Sequence, residues 1–263
     1  MSTASRPTTE RTWSADPYAD ALRAGRGPLF LRRRDGWLLP LEVERWCSRA
    51  DAVDREVLRR CEGTVLDVGC GPGRIVLELG ALGRPVLGVD VSEAAVARTV
   101  RLGGQAVQRS VFAPLPGEGR WGTVLLLDGN LGIGGDPRAL LRRASELLAP
   151  GGLLIAETVP DDVDERAEVR LVRALVAPHP DPDGAGRADG TTFPWARLGT
   201  PALLRHAGSL GWRTAGQWTT GGRSFAALRS RTSMSSPEPP NSRPVISSQR
   251  PRNPSGGMPV ADS

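Results

Sequence analysis

Three glycines within five residues interrupt an apolar run and fix where the chain must turn. The run Thr64–Val68 is rich in the apolar and β-branched residues of a buried strand, and Ile75–Leu79 has helical spacing. Gly69, Gly71 and Gly73 lie between them, where a tight strand-to-helix turn needs positive φ values. Because glycine has no Cβ, such a turn also lets another molecule approach the backbone closely.

An acidic residue follows at the distance that nucleotide-binding βαβ units use. Pro85–Val89 is a second apolar run that predicts a buried strand, and Asp90 ends it. This aspartate lies 21 positions after Gly69, close to the spacing of about 20 residues that is typical of a ribose-binding carboxylate. Together the two features predict a mononucleotide-type binding unit at the carboxyl edge of a parallel sheet.

The rest of the chain alternates between strand-like and helix-like segments, which predicts an α/β fold with a mostly parallel sheet and helices on both faces. The predicted strands are a hairpin at 28–39 with a type I′ turn at Asp35-Gly36, a weak strand at 105–112, strong strands at 123–128 and 153–157, and a closing pair at 212–220 and 224–228. The segment 41–61 predicts one or two helices, and 93–100 predicts another after the N-cap Ser92. A further helix is opened by Asp136-Pro137 and ended by Pro150-Gly151-Gly152. The last two predicted helices are 161–175 and one that begins with the cap Thr200-Pro201 and ends at Gly211.

Composition divides the chain into four parts. Residues 1–17 are polar and are expected to be disordered, and 231–263 form a tail rich in Ser, Pro, Asn and Arg with the same expectation. Between them we predict a hairpin and helical cap at 18–60 and the α/β domain at 61–230. Within that domain, 176–194 is rich in Pro, Asp and Gly and predicts a loop.

Charge and cysteine usage exclude several kinds of chemistry. The sequence contains no lysine, so Schiff-base formation and a P-loop lysine are excluded, and its net charge of +5 comes from scattered arginines that argue against a nucleic-acid partner. Cys47, Cys61 and Cys70 are odd in number and lack metal-ligand spacing, so neither a disulfide framework nor a metal site is predicted. No apolar stretch suits a signal peptide or a membrane span, and we expect a soluble, cytoplasmic protein.

The glycine turn resembles the first motif of the class I S-adenosylmethionine-dependent methyltransferases. That motif has an acid two positions before Gly-x-Gly-x-Gly, as in Asp67-Val68-Gly69-Cys70-Gly71-Pro72-Gly73, whereas the third glycine of the dinucleotide fingerprint falls one position later. The resemblance covers residues 65–228. It implies a Rossmann-like, doubly wound, mostly parallel seven-stranded sheet, with an antiparallel strand from the C-terminal hairpin. It also implies S-adenosylmethionine as cofactor and a small-molecule acceptor, methylated at oxygen or nitrogen by direct in-line displacement.

The resemblance further implies where each part of the cofactor lies. Its methionine portion would follow the glycine turn, its ribose the acid after the second strand, and its adenine the segments behind the second and third strands. The residues so assigned are Asp67 near the amino group, Gly69, Cys70 (through its backbone), Gly71 and Gly73 along the methionine, Asp90 on the ribose hydroxyls, Val91, Ser110 and Val111 beside the adenine, and Asp128 where the methyl group meets the acceptor. In many relatives an acid stands where this chain has Ser110, and a serine hydroxyl can still accept a hydrogen bond.

A methyl acceptor that must lose its proton would benefit from a general base. The candidate catalytic residues are Asp128, Asn130, Glu157 and His179. His206 fits a surface or half-buried position better than that of a base, and Trp37 and Trp195 are candidates for the acceptor pocket.

Two alternatives to methyl transfer stay open from the sequence. One is a nicotinamide-dependent oxidoreductase, which the glycine spacing disfavours, and the other is a protein that binds the methyltransferase cofactor without turnover. Nucleic-acid methylation is disfavoured because 128–131 lacks the Asn/Asp-Pro-Pro-aromatic element that clasps a flipped base. The sequence does not indicate an oligomeric state.

Overall fold

The computed structural model describes residues 16–173 and 191–230, all of which belong to one of the two compact units of the chain. Two β-sheets and seven α-helices are formed within these ranges. In chain order the elements are α1 (Asp16–Ala24), β1 (Phe30–Arg33), β2 (Leu38–Pro40), α2 (Val43–Cys47), α3 (Ala52–Arg59), β3 (Val65–Val68), α4 (Arg74–Ala81), β4 (Val86–Asp90), α5 (Glu93–Arg101), β5 (Ala106–Gln108), β6 (Trp121–Leu126), a 3-10 turn (Asn130–Gly132), α6 (Pro137–Leu147), β7 (Leu148–Thr158), β8 (Asp164–Val172), β9 (Phe193–Leu198), α7 (Thr200–Ser209), β10 (Arg213–Thr220) and β11 (Arg223–Arg229).

The larger sheet has seven strands in the order β10-β11-β7-β6-β3-β4-β5. In this order, neighbouring strands from β7 through β6, β3 and β4 to β5 pair in parallel, and β11 is antiparallel to both β7 and β10. This confirms the predicted doubly wound sheet with one antiparallel strand from the C-terminal hairpin. After β3 the chain first builds β4 and β5 on one side and then β6 and β7 on the other. The carboxyl end of β3 is therefore a topological switch point, where such sheets bind ligands.

Alternate residues of the central strands enter two cores, one on each face of this sheet. Leu66, Val68 and Val124 belong to one buried cluster, and Val65 and Leu125 belong to the other. A fully buried side chain of this size contributes about 1.5–3 kcal/mol relative to its exposed state. Burial on both faces explains why these strands have continuous apolar sequences rather than alternating ones.

Side-chain caps fix where several helices begin. The hydroxyl of Ser92 accepts a hydrogen bond from the backbone N–H of Ala95, and Asp136 caps α6 with Pro137 as its first residue, both as predicted. Helix α7 differs from the prediction, because its N-cap is Gly199 and Thr200 is already helical. Strand β7 also begins earlier than predicted, at Leu148, and passes through the Pro-Gly-Gly sequence that was expected to end helix α6.

The smaller sheet has four strands in the order β2-β1-β8-β9 and carries the predicted N-terminal hairpin. The predicted type I′ turn is wrong, because Gly36 has a positive φ of 91° and Asp35 does not. Backbone hydrogen bonds from Arg33 to Trp37 (2.9 Å) and from Gly36 to Arg33 (3.2 Å) instead define a three-residue loop. This is the type I turn followed by a left-handed residue that commonly closes such loops.

The predicted helix at 161–175 is wrong, because residues 164–172 form strand β8. Its charged residues suggested an exposed helix face, but Val169 and Leu171 alternate with polar residues and are buried against Leu31 and Phe193. That period of two is the strand pattern. Strand β9 was not predicted, and its first residues fall in the segment that was expected to be a loop. Likewise, only 106–108 of the predicted strand 105–112 is regular.

Several predictions concern residues outside the described ranges. These are the termini expected to be disordered, up to residue 15 and from residue 231, most of the loop at 176–194, and His179. Asp16 and Pro17, which were also expected to be disordered, instead belong to α1. The division into residues 18–60 and 61–230 stays a prediction, although β1 and β2 share their sheet with two strands from the later segment.

Candidate active site

A cavity of about 330 Å³ opens at the carboxyl ends of β3, β4 and β6, at the switch point of the larger sheet. The glycine turn and the ends of these strands form one side of it. The other side comes from α1, from the segment after β2, and from β9 of the smaller sheet. Its volume is in the range of small-molecule and cofactor sites.

The glycine turn packs tightly at its first residue and is open in its middle. Gly69 has a φ of 71°, and a Cβ on it would lie 2.6 Å from the side-chain nitrogen of Asn130. Gly71 has a φ of 53°, and a Cβ there would meet only the hydroxyl of Tyr18, at 3.6 Å. Gly73 is the left-handed N-cap of α4, and Thr99 leaves no room for a Cβ there. The open space beside Gly71 is thus where another molecule can reach the backbone.

Asp90 lies at the end of β4 and lines the cavity, as its spacing predicted. One carboxylate oxygen accepts the N–H of Gly71 (2.8 Å) and the other accepts the N–H of Ser92 (2.8 Å). Burial raises the pKa of Asp90, and these backbone donors oppose the rise. The carboxylate is therefore fixed against the glycine turn, and each oxygen keeps a lone pair for a further donor.

Asp67 is buried inside β3, next to the turn but outside the cavity lining. One of its carboxylate oxygens has no hydrogen-bond partner within the described residues. Burial, together with the carboxylates of Asp128 and Asp90, raises the pKa of Asp67 to about 8. An unpartnered buried carboxylate oxygen is costly, and a nearby cationic ligand would relieve that cost.

The segments after β4 and β5 line one end of the cavity with Val91, Ser110 and Val111, as predicted. The hydroxyl of Ser110 accepts the N–H of Phe112 at 3.3 Å, so it is engaged locally. Cys70 also lines the cavity, and burial raises the pKa of its thiol well above the ordinary value. Its thiol is therefore neutral, which agrees with a role for its backbone rather than its sulfur.

Three arginines and three acids form an ion cluster beneath the cavity. It consists of Arg45, Arg74, Arg223, Asp54, Asp128 and Glu157. Its formal charges cancel. Arg74 and Asp128 are its members that line the cavity.

Asp54 is fully buried at the centre of the ion cluster. Its carboxylate accepts hydrogen bonds from Arg223 (2.8 Å), Arg45 (3.3 Å) and Arg74. Burial lowers the pKa of the Arg74 guanidinium, and the carboxylate of Asp128 opposes this. The sequence analysis assigned no role to Asp54 or to the three arginines, since up to 169 residues separate paired members. The position of Arg74 directly after the last glycine was the one available signal.

The predicted catalytic residues have different surroundings. Asp128 has a left-handed φ of 54°, and its carboxylate is held by Arg45 (2.8 Å) and Arg74. Asn130 also lines the cavity, but its amide nitrogen donates to the carbonyls of Val68 (2.8 Å) and Gly69 (3.0 Å). Asn130 thereby holds the glycine turn in place.

Glu157 lies outside the cavity lining. Arg223 binds both of its oxygens at 2.7 Å, and one oxygen also accepts the N–H of Asp128 (2.8 Å). His206 pairs with Asp164 at 2.8 Å, away from the cavity. The structure thus brings Asp128 and Asn130 to the cavity, and it places Glu157 behind Asp128.

The wall opposite the glycine turn is apolar and largely aromatic. We define this apolar wall as Tyr18, Leu41, Trp46, Ile133 and Trp195, which line the cavity and pack together in one hydrophobic cluster. Of the two tryptophans proposed for the acceptor pocket, Trp195 is in this wall. Trp37 instead lies between the guanidinium groups of Arg33 and Arg197. A place in the site was not predicted for the other four members of the wall, because their spacing in the sequence fits an ordinary core. These are Tyr18, Leu41, Trp46 and Ile133.

The described residues contain neither a metal-binding cluster nor a membrane-spanning helix. No group of His, Cys, Asp and Glu side chains there could hold a metal ion. None of the helices in the described ranges is long and apolar enough to cross a membrane.

Comparison with known proteins provides an independent line of evidence. A family described as "Methyltransferase domain" matches residues 42–185, more than half of the chain. A trans-aconitate 2-methyltransferase from Paracidovorax citrulli is 33% identical over 47% of this chain and 48% of its own length. A ubiquinone biosynthesis O-methyltransferase from Caulobacter sp. is 30% identical over 57% of this chain and 66% of its own length. The chain thus matches between about half and two thirds of these curated relatives.

Solved structures show the same fold. A SAM-dependent methyltransferase from Bacteroides fragilis, in complex with S-adenosyl-L-homocysteine, has a TM-score of 0.65 and 19% identity, covering 86% of this chain and 97% of its own. The CcbJ methyltransferase from Streptomyces caelestis has a TM-score of 0.53 and 19% identity, covering 84% of this chain and 99% of its own. At these identities the two structures establish the architecture alone.

Proposed function

The chain belongs to the class I S-adenosylmethionine-dependent methyltransferases, and from that premise we propose that it transfers a methyl group from S-adenosylmethionine to a small-molecule acceptor. The curated relatives are named for trans-aconitate and for ubiquinone biosynthesis, which supports a small acceptor over a macromolecule. The family assignment sets aside the nicotinamide-dependent alternative. Binding of the cofactor without turnover is left to the experiment below.

The observation that carries the proposal is the arrangement of Asp90 on the open glycine turn. The Asp90 carboxylate is held by Gly71 and Ser92, and both oxygens keep acceptor capacity at the edge of the cavity. Two vicinal ribose hydroxyls are the donors that such a carboxylate suits. The open space beside Gly71 suits the close approach of the cofactor's methionine portion.

The remaining assignments rest on the chemistry of each residue. We assign the adenine to the segment that contains Val91, Ser110 and Val111, and we place the α-ammonium group of the cofactor near Asp67, whose buried carboxyl group lies next to the glycine turn. Gly69, Cys70 and Gly73 shape the turn through their backbone. The residues present therefore fit S-adenosylmethionine.

The protein's own contribution is chiefly binding and orientation. When bound, the cofactor would supply an electrophilic methyl group on a sulfonium whose sulfur can keep the carbon–sulfur electron pair, so the acceptor would need an oxygen or nitrogen lone pair in line with that bond and a proton to lose. No covalent enzyme nucleophile is needed, and orientation alone can contribute roughly 7–11 kcal/mol to lowering the barrier. The apolar wall excludes water from the cavity where the acceptor must lie.

Asp128 is the residue that we assign to the acceptor side. Because Arg45 and Arg74 hold its carboxylate in place at the cavity, it can accept a hydrogen bond from the acceptor's hydroxyl or amine. Glu157 would act through Asp128 by accepting its backbone N–H, and Asn130 by bracing the glycine turn.

The free thiols of Cys47, Cys61 and Cys70 support a reducing, cytoplasmic setting.

Titration with S-adenosylhomocysteine by calorimetry tests the proposal, with NAD as the control ligand. We expect the wild-type protein to bind S-adenosylhomocysteine and not NAD, and Asp90→Asn to weaken binding about 10- to 100-fold, since hydrogen bonds to a charged group are lost. Glu118→Gln, a surface acid-to-amide change outside the cavity lining, should leave affinity unchanged. If the folded wild-type protein does not bind S-adenosylhomocysteine, the proposal is wrong. If it binds but forms no methylated product with a broad acceptor panel, the cofactor-binding alternative holds.

A further inference from the structure

The apolar wall faces the cofactor-binding side of the cavity, and the assignments above give it no ligand. Tyr18 and Trp46 pack edge to face, with ring centroids 6.4 Å apart. Ile133 forms a β-bridge with Trp195, whose indole packs against Gly132 so closely that a Cβ there would lie 2.4 Å away. Four chain segments thus supply one continuous surface of rings and aliphatic side chains. A flat apolar molecule has the shape and chemistry to pack against it.

The arginines of the ion cluster already have counter-charges. The guanidinium groups of Arg45 and Arg74 both pair with Asp54 and Asp128, so neither is an uncompensated cation. Arg109 also lines the cavity, but it is exposed and donates to the carbonyl of Pro114 at 2.9 Å. Among the described residues, the cavity therefore has no buried cation available for a second carboxylate or phosphate. An anionic acceptor would lose its hydration there without gaining a counter-charge.

One polar group beside the apolar wall lacks a partner. The indole N–H of Trp46 is buried and makes no hydrogen bond within the described part of the chain. Because this nitrogen is buried although the residue lines the cavity, Trp46 contributes apolar ring surface to the cavity rather than a polar contact. The Asp128 carboxylate supplies the polar contact, and it suits a molecule that presents one O–H or N–H group.

We propose that the methyl acceptor is a planar, uncharged aromatic molecule that packs against Trp46 and Trp195 and presents a hydroxyl or amine to Asp128. The inference rests on the methyl-transfer function proposed above and adds the chemical class of the acceptor. Tyr18 completes the surface as a neutral phenol, because burial and the Asp90 carboxylate raise its pKa well above the ordinary value. The same reasoning predicts that aliphatic polycarboxylates bind more weakly than a neutral aromatic acceptor.

Three probes with related skeletons test the class of acceptor by calorimetry on the protein saturated with S-adenosylhomocysteine. The probes are 2-naphthol, which is planar and neutral, 2-decalol, its saturated and non-planar counterpart, and 2-naphthoate, which is planar and anionic. We expect 2-naphthol to bind at least about tenfold more tightly than either of the others. The inference is overturned if 2-naphthol does not bind, or if 2-decalol or 2-naphthoate binds equally well. If S-adenosylhomocysteine itself fails to bind in the first step, the proposed function fails instead.

Two substitutions link the binding to the apolar wall. Trp46→Leu should weaken 2-naphthol about tenfold and change the affinity for S-adenosylhomocysteine less than twofold. Trp218→Leu is the matched control, since Trp218 stacks on Phe225 outside the cavity lining and should affect neither ligand. Ile133→Arg adds the cation that the wall lacks, and it should shift the preference from 2-naphthol towards 2-naphthoate. Equal effects of Trp46→Leu and Trp218→Leu, or an unchanged preference in Ile133→Arg, would contradict the assignment.

Discussion

Replacement of Asp54 by Asn should strongly destabilise the fold. Asp54 is fully buried and accepts hydrogen bonds from three arginines, so the neutral amide leaves the ion cluster with one excess positive charge. Removing one partner from a buried ion pair typically costs 3–5 kcal/mol. Asp54 also accepts the backbone N–H of Asp51 in the capping box of α3, and one amide oxygen can replace only part of this acceptor capacity. We therefore expect a loss of about 4 kcal/mol in the free energy of unfolding.

Urea denaturation measures this loss. With a slope of about 2–3 kcal/mol per M, the midpoint should fall by roughly 1.3–2 M. Glu118→Gln is the matched control, because Glu118 pairs with Arg143 at the surface and its loss should shift the midpoint far less. A double variant, Asp54→Asn with Arg45→Met, restores the charge balance and should be less destabilised than the two single losses added together. Equal shifts for Asp54→Asn and Glu118→Gln would refute the central role of Asp54.

Two further predictions concern the glycine turn and the acid before it. In urea denaturation, Gly69→Ala should lose about 2 kcal/mol more free energy of unfolding than Gly83→Ala. Both sites have φ near 70°, but only at Gly69 does the new Cβ displace Asn130 and its two hydrogen bonds. Equal losses would show that backbone strain alone matters. Asp67 has a pKa of about 8 in the folded protein, against an ordinary value of 3.8 that applies to the unfolded chain. Between these two pH values the folded state binds one proton more than the unfolded state. The free energy of unfolding should therefore fall as pH rises from about 4 to 8, by up to about 1.4 kcal/mol per pH unit. Urea midpoints at several pH values test this. The stability of the wild type minus that of Asp67→Asn should decrease across this window and be constant above about pH 8. A difference that stays constant throughout would contradict the raised pKa.

The sequence predicted the features whose signals are local. The glycine turn is written in five consecutive positions, and Asp90 follows at a spacing that one βαβ unit fixes. The caps Ser92 and Asp136 act on backbone N–H groups within three residues of themselves. In each case the interaction that forms the structure joins near neighbours, so the residue pattern is sufficient.

The two later strands of the smaller sheet, β8 and β9, could not be predicted, because they are stabilised by distant partners. Strand β8 pairs with β1, more than 130 residues earlier: Leu171 lies opposite Leu31 and Val169 opposite Arg33. Without that partner, the many charged residues of β8 favour an exposed helix. Strand β9 begins with Phe193-Pro194-Trp195, where the proline indicates a loop, yet Phe193 and Trp195 complete the cluster beneath the sheet. Tertiary packing overrides local preference in both strands.

The ion cluster explains why the site needs parts of the chain that contain no recognisable motif. Arg45 comes from α2 in the N-terminal segment, Arg74 from the helix after the glycine turn, and Arg223 from the last strand. All three contact Asp54 and Asp128. Because partly buried charges are costly without their partners, these three segments together hold the Asp128 carboxylate at the cavity. The acceptor side that we propose therefore depends on the N-terminal segment and the last strand as much as on the glycine turn.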